Sequence, residues 1–390
     1  MIVNLSKREA RHFMLSHHRL NRFSYPADRA GLARLLADAR CIQIDPLSPM
    51  GTSPDLAAAA RCENYKVGDL FRLLLPGEAF EHFAKERCLL PPEAFPYYRD
   101  RAAETPWWRL HERAKRVPAK VLDTVLGDVR THGPVTPGQI TDHGAVTPID
   151  WSGWKGTGKL TTMAMEILWT RCAVVVAGRD GARAKQYDIP ERALPEVHDL
   201  PAGDFLRWGL VQRVEAAGLL NMLTGPHWST INEARKSGLV DELIAEGQLQ
   251  MVTIEDGKRR YLAPAGFRDR LRDQADDHMR ILGPLDAFMW DRTLIEHIFG
   301  FEYLWEVYKP VTKRRWGWYV CPLLHRGELV GRLEARVRDQ KLVVDRVWRE
   351  AAHTPDRDAL KLTLARHVRS LGLDGFRLPA RFSAPAKGPS

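Results

Sequence analysis

At 390 residues, 44% hydrophobic and 27% charged, the chain suits roughly two to four soluble compact domains, and its composition excludes a disordered or low-complexity protein. Lys plus Arg number 58 against 49 Asp plus Glu, a net charge of +9 that favours a polyanionic partner. The 5 cysteines are scattered with no CxxC spacing, and no apolar run approaches a membrane span; a reducing cytoplasm is expected, with no disulfide frame, no zinc site and no membrane.

Residues 1–112 read as a mostly helical domain. SKREARHFMLSHHRL and RAGLARLLADAR have helical apolar spacing. A short extended stretch, CIQIDPLSPMG, follows. Helices are expected to resume over PDLAAAARCENY, VGDLFRLLL and EAFEHFAKERCLL, and a helix-turn-helix module fits this region. Adjacent helical residues point in different directions, so His17 and His18 are expected in core or solvent positions and not as a metal pair.

Residues 113–198 and 199–280 repeat one plan. In the first, VPAKVLDTVLGDVRTHG forms a helix, Thr136 caps a short helix PGQITDH, and GKLTTMAMEILWTRC forms another. AVVVAGRDGARAKQYDIP then reads as a hairpin turning at Arg179–Asp180–Gly181–Ala182. In the second, GDFLRWGLVQRVEAAGLL and SGLVDELIAEG are helices, and QLQMVTIEDGKRRYLAP is a hairpin turning at Asp256–Gly257. Helix, turn, helix and basic hairpin is the plan of a winged helix. Both hairpins place cations beside an Asp-Gly turn, which suits contact with phosphate.

From residue 281 the texture changes. YLWEVYKPVTKRRWGWYVCPLLHRGELVGRLEARVRDQKLVVDRVW holds four alternating segments, with turns at Lys313–Arg314, Arg326–Gly327 and Asp339–Gln340. A small antiparallel barrel-like domain over 281–380 is expected, closed by the helix DALKLTLARHVRSLG with Leu360, Leu362, Leu364, Val368 and Leu371 near one face. The tail 381–390 reads as disordered. The fold class is therefore α+β: tandem winged-helix domains followed by a small C-terminal antiparallel barrel-like domain.

No complete phosphate loop, HExxH or GxSxG occurs; Trp154–Lys159, WKGTGK, lacks the P-loop spacing. The stretch Ile42–Gln43–Ile44–Asp45–Pro46 stands out instead. Side chains alternate along an extended run, so Ile42 and Ile44 point to the core, while Gln43 and Asp45 share the other face at roughly 7 Å between Cα atoms. Pro46 biases Asp45 toward extended backbone. By itself this pattern also fits an ordinary Asp-Pro turn.

The chain resembles the YcaQ/AlkZ-type DNA glycosylases, which repair interstrand crosslinks and bulky N-alkylpurines. The resemblance is clearest in Leu285–Asp286, Trp290–Asp291–Arg292, Phe299–Gly300–Phe301, Tyr303, Tyr308–Lys309–Pro310, Lys313–Arg314–Arg315 and Gly317. It continues through Tyr319, Pro322–Leu323–Leu324, His325–Arg326–Gly327, Leu329–Val330–Gly331–Arg332 and Glu334. It implies tandem winged helices, a C-terminal barrel and a catalytic Gln-aliphatic-Asp signature, matched by Gln43–Ile44–Asp45. It further implies a monofunctional glycosylase that releases N7-alkylguanine from duplex DNA as a monomer on the nucleoid, with no metal or other cofactor. Alkylation at N7 makes the base cationic, so it leaves without a general acid. A carboxylate beside C1′ then stabilises the oxocarbenium-like sugar.

Two stretches depart from the family pattern. Lys85–Glu86–Arg87–Cys88 stands where the family often has His before Glu-Ala-Cys, and Met50–Gly51–Thr52 where it commonly has Arg. The cations expected on DNA are Lys85, Lys155, Lys159, Arg179, Arg183, Lys258, Arg259, Lys313, Arg314 and Arg315. The rival reading is a non-catalytic winged-helix DNA-binding protein, a regulator or damage sensor, which would select an undamaged sequence and release no base.

Overall fold

In the computed structural model, residues 2–104, 112–147, 158–180, 184–270 and 275–384 are described. The fold is mixed α+β and divides into two compact units. One comprises Met1–Leu70, Ala84–Cys88 and Gly209–Ser390; the other comprises Phe71–Phe83 and Leu89–Trp208.

The first unit begins with the strand Val3–Leu5 and the helix Lys7–His17. Ser6 starts that helix with a capping box: its hydroxyl accepts from Glu9 N at 3.1 Å, and Glu9 Oε2 accepts from Ser6 N at 2.8 Å. The helix buries Ala10, Phe13 and Met14. Val3–Leu5 pairs in parallel with Leu249–Ile254, which pairs antiparallel with Arg260–Pro264, itself joined to Leu220–Asn221. This sheet packs Leu5, Val252 and Tyr261 against Phe13, Phe288, Ile295 and Phe301 in one core. Each such side chain, once buried, contributes roughly 1.5–3 kcal/mol.

A five-stranded half-barrel sheet follows, in the order Arg280–Ile281, Val320–His325, Glu328–Arg338, Lys341–Arg349, Gly375–Arg377. Its two tight turns are where the sequence put them. Arg326 and Gly327 have φ of 51° and 80°, and Asp339 and Gln340 have 48° and 54°, the paired left-handed residues of a primed hairpin turn. The helix Arg357–Leu371 covers the sheet with Leu360, Leu364 and Val368.

Three expectations in this part are corrected. The segment 303–310 forms no strand, and Lys313 ends a short 3-10 helix, Val311–Lys313, in place of a hairpin turn. Glu306 explains this: its buried carboxylate accepts from Arg315 N at 3.0 Å, Trp316 N at 2.7 Å and Lys309 Nζ at 2.9 Å, gathering the segment into a loop. The last sheet pair, Lys341–Arg349 with Gly375–Arg377, is parallel. Leu362 is 71% exposed, off the inner face of its helix.

The second unit contains the helices Phe95–Glu104, Ala119–His132 and Leu160–Thr170, and the hairpin Val175–Asp180 with Ala184–Asp188. Val125, Val129, Ile167, Trp169, Val175 and Tyr187 are buried in it. The short helix expected over Pro137–His143 is a turn: Gln139 N donates to Thr136 O and its Oε1 accepts from Thr136 N. The turn of the hairpin at Gly181–Arg183 lies outside the described residues.

The helix expected over EAFEHFAKERCLL is also absent. Strands Phe80–Phe83 and Arg87–Leu90 flank a bend at Ala84–Glu86. Ala, Glu and Lys favour a helix locally, but Phe80, Glu81, His82, Cys88, Leu89 and Leu90 are all buried, which a one-faced surface helix cannot achieve. Glu81 is tolerated there because Arg179 lies 2.6 Å from its carboxylate.

Candidate active site

The helix Arg29–Ala39 is capped by Asp28, whose Oδ1 accepts from Gly31 N at 2.7 Å. Arg40, at φ 61°, ends it and redirects the chain into the strand Ile42–Gln43. Ile44 N donates to Arg87 O at 2.8 Å, fastening this stretch beside the bend at Ala84–Glu86. Gln43 is buried to 8% exposure, and Asp45 is half-buried. The clean alternation expected from sequence is therefore modified, since Ile42 and Gln43 are both covered.

The two polar side chains have different partners. Gln43 Oε1 accepts from Lys85 Nζ at 3.3 Å, and that ammonium lies 5.3 Å from the centre of the Trp290 ring. Asp45 Oδ1 accepts from Leu47 N at 2.9 Å, an Asx-type turn that fixes the carboxylate. Burial pushes the Asp45 carboxyl above its ordinary range, against the smaller opposite pull of that hydrogen bond. Tyr308, 81% exposed, has its hydroxyl pushed up by burial and then by the carboxylates of Asp45 and Glu86. The buried Tyr319 hydroxyl is pushed well up, by burial first and by Asp45 among the smaller causes.

The bend beside these groups is tied down by hydrogen bonds. Thr230 Oγ1 donates to Ala84 O at 3.1 Å, and Ala84 N donates to Glu86 O at 2.8 Å. Beneath the bend, Cys41 and Cys88 are buried. The Cys41 thiol is held well above its ordinary range by its hydrogen bond to Cys88 and by burial, which makes it a packing group and not a nucleophile. Behind Gln43 runs a crevice of about 520 Å³, counting its open mouth, lined by His17, Tyr25, Cys41, Arg61 and Asp286. Arg61 and Asp286 form a buried two-pronged pair at 2.7 and 2.9 Å. Burial alone would raise the Asp286 carboxyl, but Arg61 outweighs it and holds it low.

The departures from the family pattern acquire reasons. Thr52 caps the helix Ser53–Ala59 in a capping box with Asp55, Met50 is fully buried, and Gly51 at φ 103° makes the corner. His17 and His18 are core groups bonded to Glu215 O and Ala217 O, in keeping with the expectation for that pair.

The cations expected on DNA have varied surroundings. Lys85 stands against Gln43. Lys258 is exposed, and Arg259 half-buried, beyond the turn at Asp256. Lys159 is exposed and 3.2 Å from Asp142. The Arg179 side chain is 7% exposed, in its pair with Glu81 and over the Phe71 ring at 4.5 Å. In the loop organised by Glu306, Lys313 is exposed, Arg314 donates to Lys309 O, and Arg315 pairs with Glu302 at 2.6 Å. Lys155 and Arg183 lie outside the described residues. Trp290, Tyr308, Thr230 and Glu306 were assigned no role from sequence; only Trp290 and Tyr308 carried a signal, as members of the motifs that resemble the family.

Among the described residues, no group of three or more His, Cys, Asp or Glu could hold a metal ion, and no helix is long and apolar enough to cross a membrane. A family model described as DNA glycosylase AlkZ-like matches residues 36–369. The structure is also similar to that of Streptomyces sahachiroi DNA glycosylase AlkZ, with a TM-score of 0.62 and 16% identity, covering 98% of this chain and 100% of that one. At that identity the likeness is one of fold.

Proposed function

The chain belongs to the AlkZ-like DNA glycosylase family, and from that premise we propose that it releases N7-alkylated guanine from duplex DNA, including bulky adducts and interstrand crosslinks. The family membership makes it a DNA glycosylase of DNA repair; the lesion class and the residues that act are our reading.

The observation that carries it is the placing of Gln43 and Asp45 two residues apart on one stretch, fastened at Ile44 and flanked by Lys85. Asp45 stabilises the positive charge that grows on C1′ and the ring oxygen as the cationic base departs. A half-buried carboxylate does this better than a solvated one, because its field is less screened. Gln43 holds the attacking water or Asp45 itself: with Oε1 engaged by Lys85, its NH₂ group is the donor available. Asp45 then accepts the proton of that water. Base release by this route is plain hydrolysis, with no covalent bond between protein and DNA.

The two helix-and-hairpin segments act as winged-helix units, and Lys258, Arg259 and the 306–315 loop hold the duplex backbone. The protein acts as a monomer on the nucleoid. A crosslinked guanine cannot be extruded into a closed pocket, so the reaction is expected to take place at an open site along the duplex.

The test is base release from duplexes carrying N7-methylguanine, N3-methyladenine, a nitrogen-mustard crosslink or no lesion, read by mass spectrometry of the freed base. Release of N7-alkylguanine and unhooking of the crosslink is expected. Release confined to N3-methyladenine would overturn the lesion class, and no release at all would overturn catalysis.

A further inference from the structure

We infer that Lys85 gives this protein a second activity: its amine attacks C1′ of the abasic deoxyribose left by base release and cuts the strand by β-elimination. The inference rests on base release but not on which base is released.

A lysine that holds DNA phosphate stands in solvent, as Lys159, Lys258 and Lys313 do. Lys85 is half-buried on a bend pinned by Thr230. Its Nζ lies 3.3 Å from Gln43 Oε1 and 5.3 Å from the centre of the Trp290 ring. These contacts are a neutral amide and an indole, not a carboxylate. Burial, the largest influence, lowers its pKa; the surrounding groups are Cys88, Glu86, Arg213 and Cys41. Burial shifts the balance toward the neutral amine, which is the nucleophilic form. It sits one hydrogen bond from the amide proposed to flank the sugar. The sequence marked no lysine for this role, because nothing local distinguishes Lys85 from a phosphate contact. A lyase step at Lys85 departs from the monofunctional expectation.

The chemistry balances without an oxidant or reductant. The Nζ lone pair adds to C1′ of the ring-opened aldehyde, and the C1′ oxygen leaves as water to give an iminium. Asp45 takes a proton from C2′. The electrons of that C–H bond form C2′=C3′ while the C3′–O3′ bond breaks, freeing a strand with a 5′-phosphate. Water hydrolyses the iminium, restores the amine and leaves an unsaturated aldehyde on the other end.

The test uses the full chain and a duplex with one abasic site made by uracil excision, so no lesion has to be recognised. With sodium cyanoborohydride present, a covalent protein–DNA complex is expected, and peptide mapping should place the link on Lys85. Without reductant, the labelled strand should be nicked on the 3′ side of the abasic site. Lys85→Arg, which keeps the charge and loses the nucleophile, should trap and nick roughly tenfold less or lower still, with its melting temperature retained. No trapping above that of heat-denatured protein, a link mapped to another residue, or equal trapping by a folded Lys85→Arg would each overturn the inference. If Lys85→Arg fails to fold, the mapped link in the unsubstituted protein decides. Trapping on abasic DNA with no release of N7-alkylguanine would fault the lesion class alone; release without trapping would fault Lys85 alone.

Discussion

The stretch around Gln43 and Asp45 and the hairpin Leu249–Ile254 with Arg260–Pro264 lie in the same unit and treat their charges in opposite ways. In the first, burial shifts Asp45 upward and Lys85 downward, and each group is held by a specific neighbour. In the second, Lys258 stands in solvent beside the left-handed Asp256. Desolvated groups in fixed positions suit bond breaking; solvated cations on a turn suit a grip on phosphate. The hairpin Val175–Asp180 with Ala184–Asp188 is a third case. Its Arg179 directly precedes an Asp-Gly pair in sequence, yet it is held by Glu81 inside the fold. Reaction, grip and stability should therefore be separable by substitution.

Acidification should show the largest effect. Asp45 must be ionised to stabilise the sugar cation, so single-turnover release should fall about tenfold per pH unit once the pH drops below its raised pKa. Duplex affinity should not fall with it. A rate that stays flat into the acid range would remove the distinction between reaction and grip.

Glu81→Gln comes next. It removes the negative charge that faces the Arg179 guanidinium inside the fold, which should cost about 3–5 kcal/mol of stability, read as a lowered denaturant midpoint. At a temperature where the variant is folded, release per folded molecule should be unchanged.

A third expectation concerns His17. Its Nε2 is 2.7 Å from Glu215 O, and its Nδ1 is 2.9 Å from Arg270 Nη1, so the ring must be neutral to accept from that guanidinium. Burial, the largest cause, pushes it down to about 4. The unfolded ring, with its usual pKa near 6.5, binds protons that the folded ring refuses. Stability is therefore full above about pH 6.5 and falls as the pH drops toward 4, by about 3 kcal/mol for this group. His18 and His367, both lowered by burial, act in the same direction. Thermal melts across that range check it, and they separate this loss from the rate effect of Asp45.

The smallest effect is on grip. Replacing Lys258 and Arg259 together by Ala should weaken duplex binding roughly tenfold and reduce the salt slope of log affinity by about 2, with the single-turnover rate at saturation retained. An unchanged slope would mean that these cations do not meet phosphate.

What the sequence made legible was local. The primed turns at Arg326–Gly327 and Asp339–Gln340 follow from turn chemistry within two residues. The helices Lys7–His17, Arg29–Ala39 and Arg357–Leu371 follow from apolar spacing. Gln43 and Asp45 share one face of an extended run, a pattern that also fits an ordinary Asp-Pro turn; the match to the family's Gln-aliphatic-Asp signature singled them out. What stayed hidden depends on distant partners. Val3–Leu5 finds its place only beside Leu249–Ile254, far along the chain. Residues 80–90 carry good helix formers, and the strand with a buried Glu81 is met by Arg179, far away in sequence. Lys85 looks like any surface lysine until Gln43 and Trp290 are set beside it. Residues 1–112 contribute to both units, which no local composition shift announced.

The central claim is that the Asp45 carboxylate drives base release. It is tested most directly by single-turnover release of N7-methylguanine from duplex DNA with Asp45→Asn, beside the unsubstituted protein and with affinity measured on the same preparations. The substitution keeps the shape and removes the charge, so release should fall on the order of 10³-fold while affinity stays within about twofold. Release at the unsubstituted rate by a folded Asp45→Asn would contradict it.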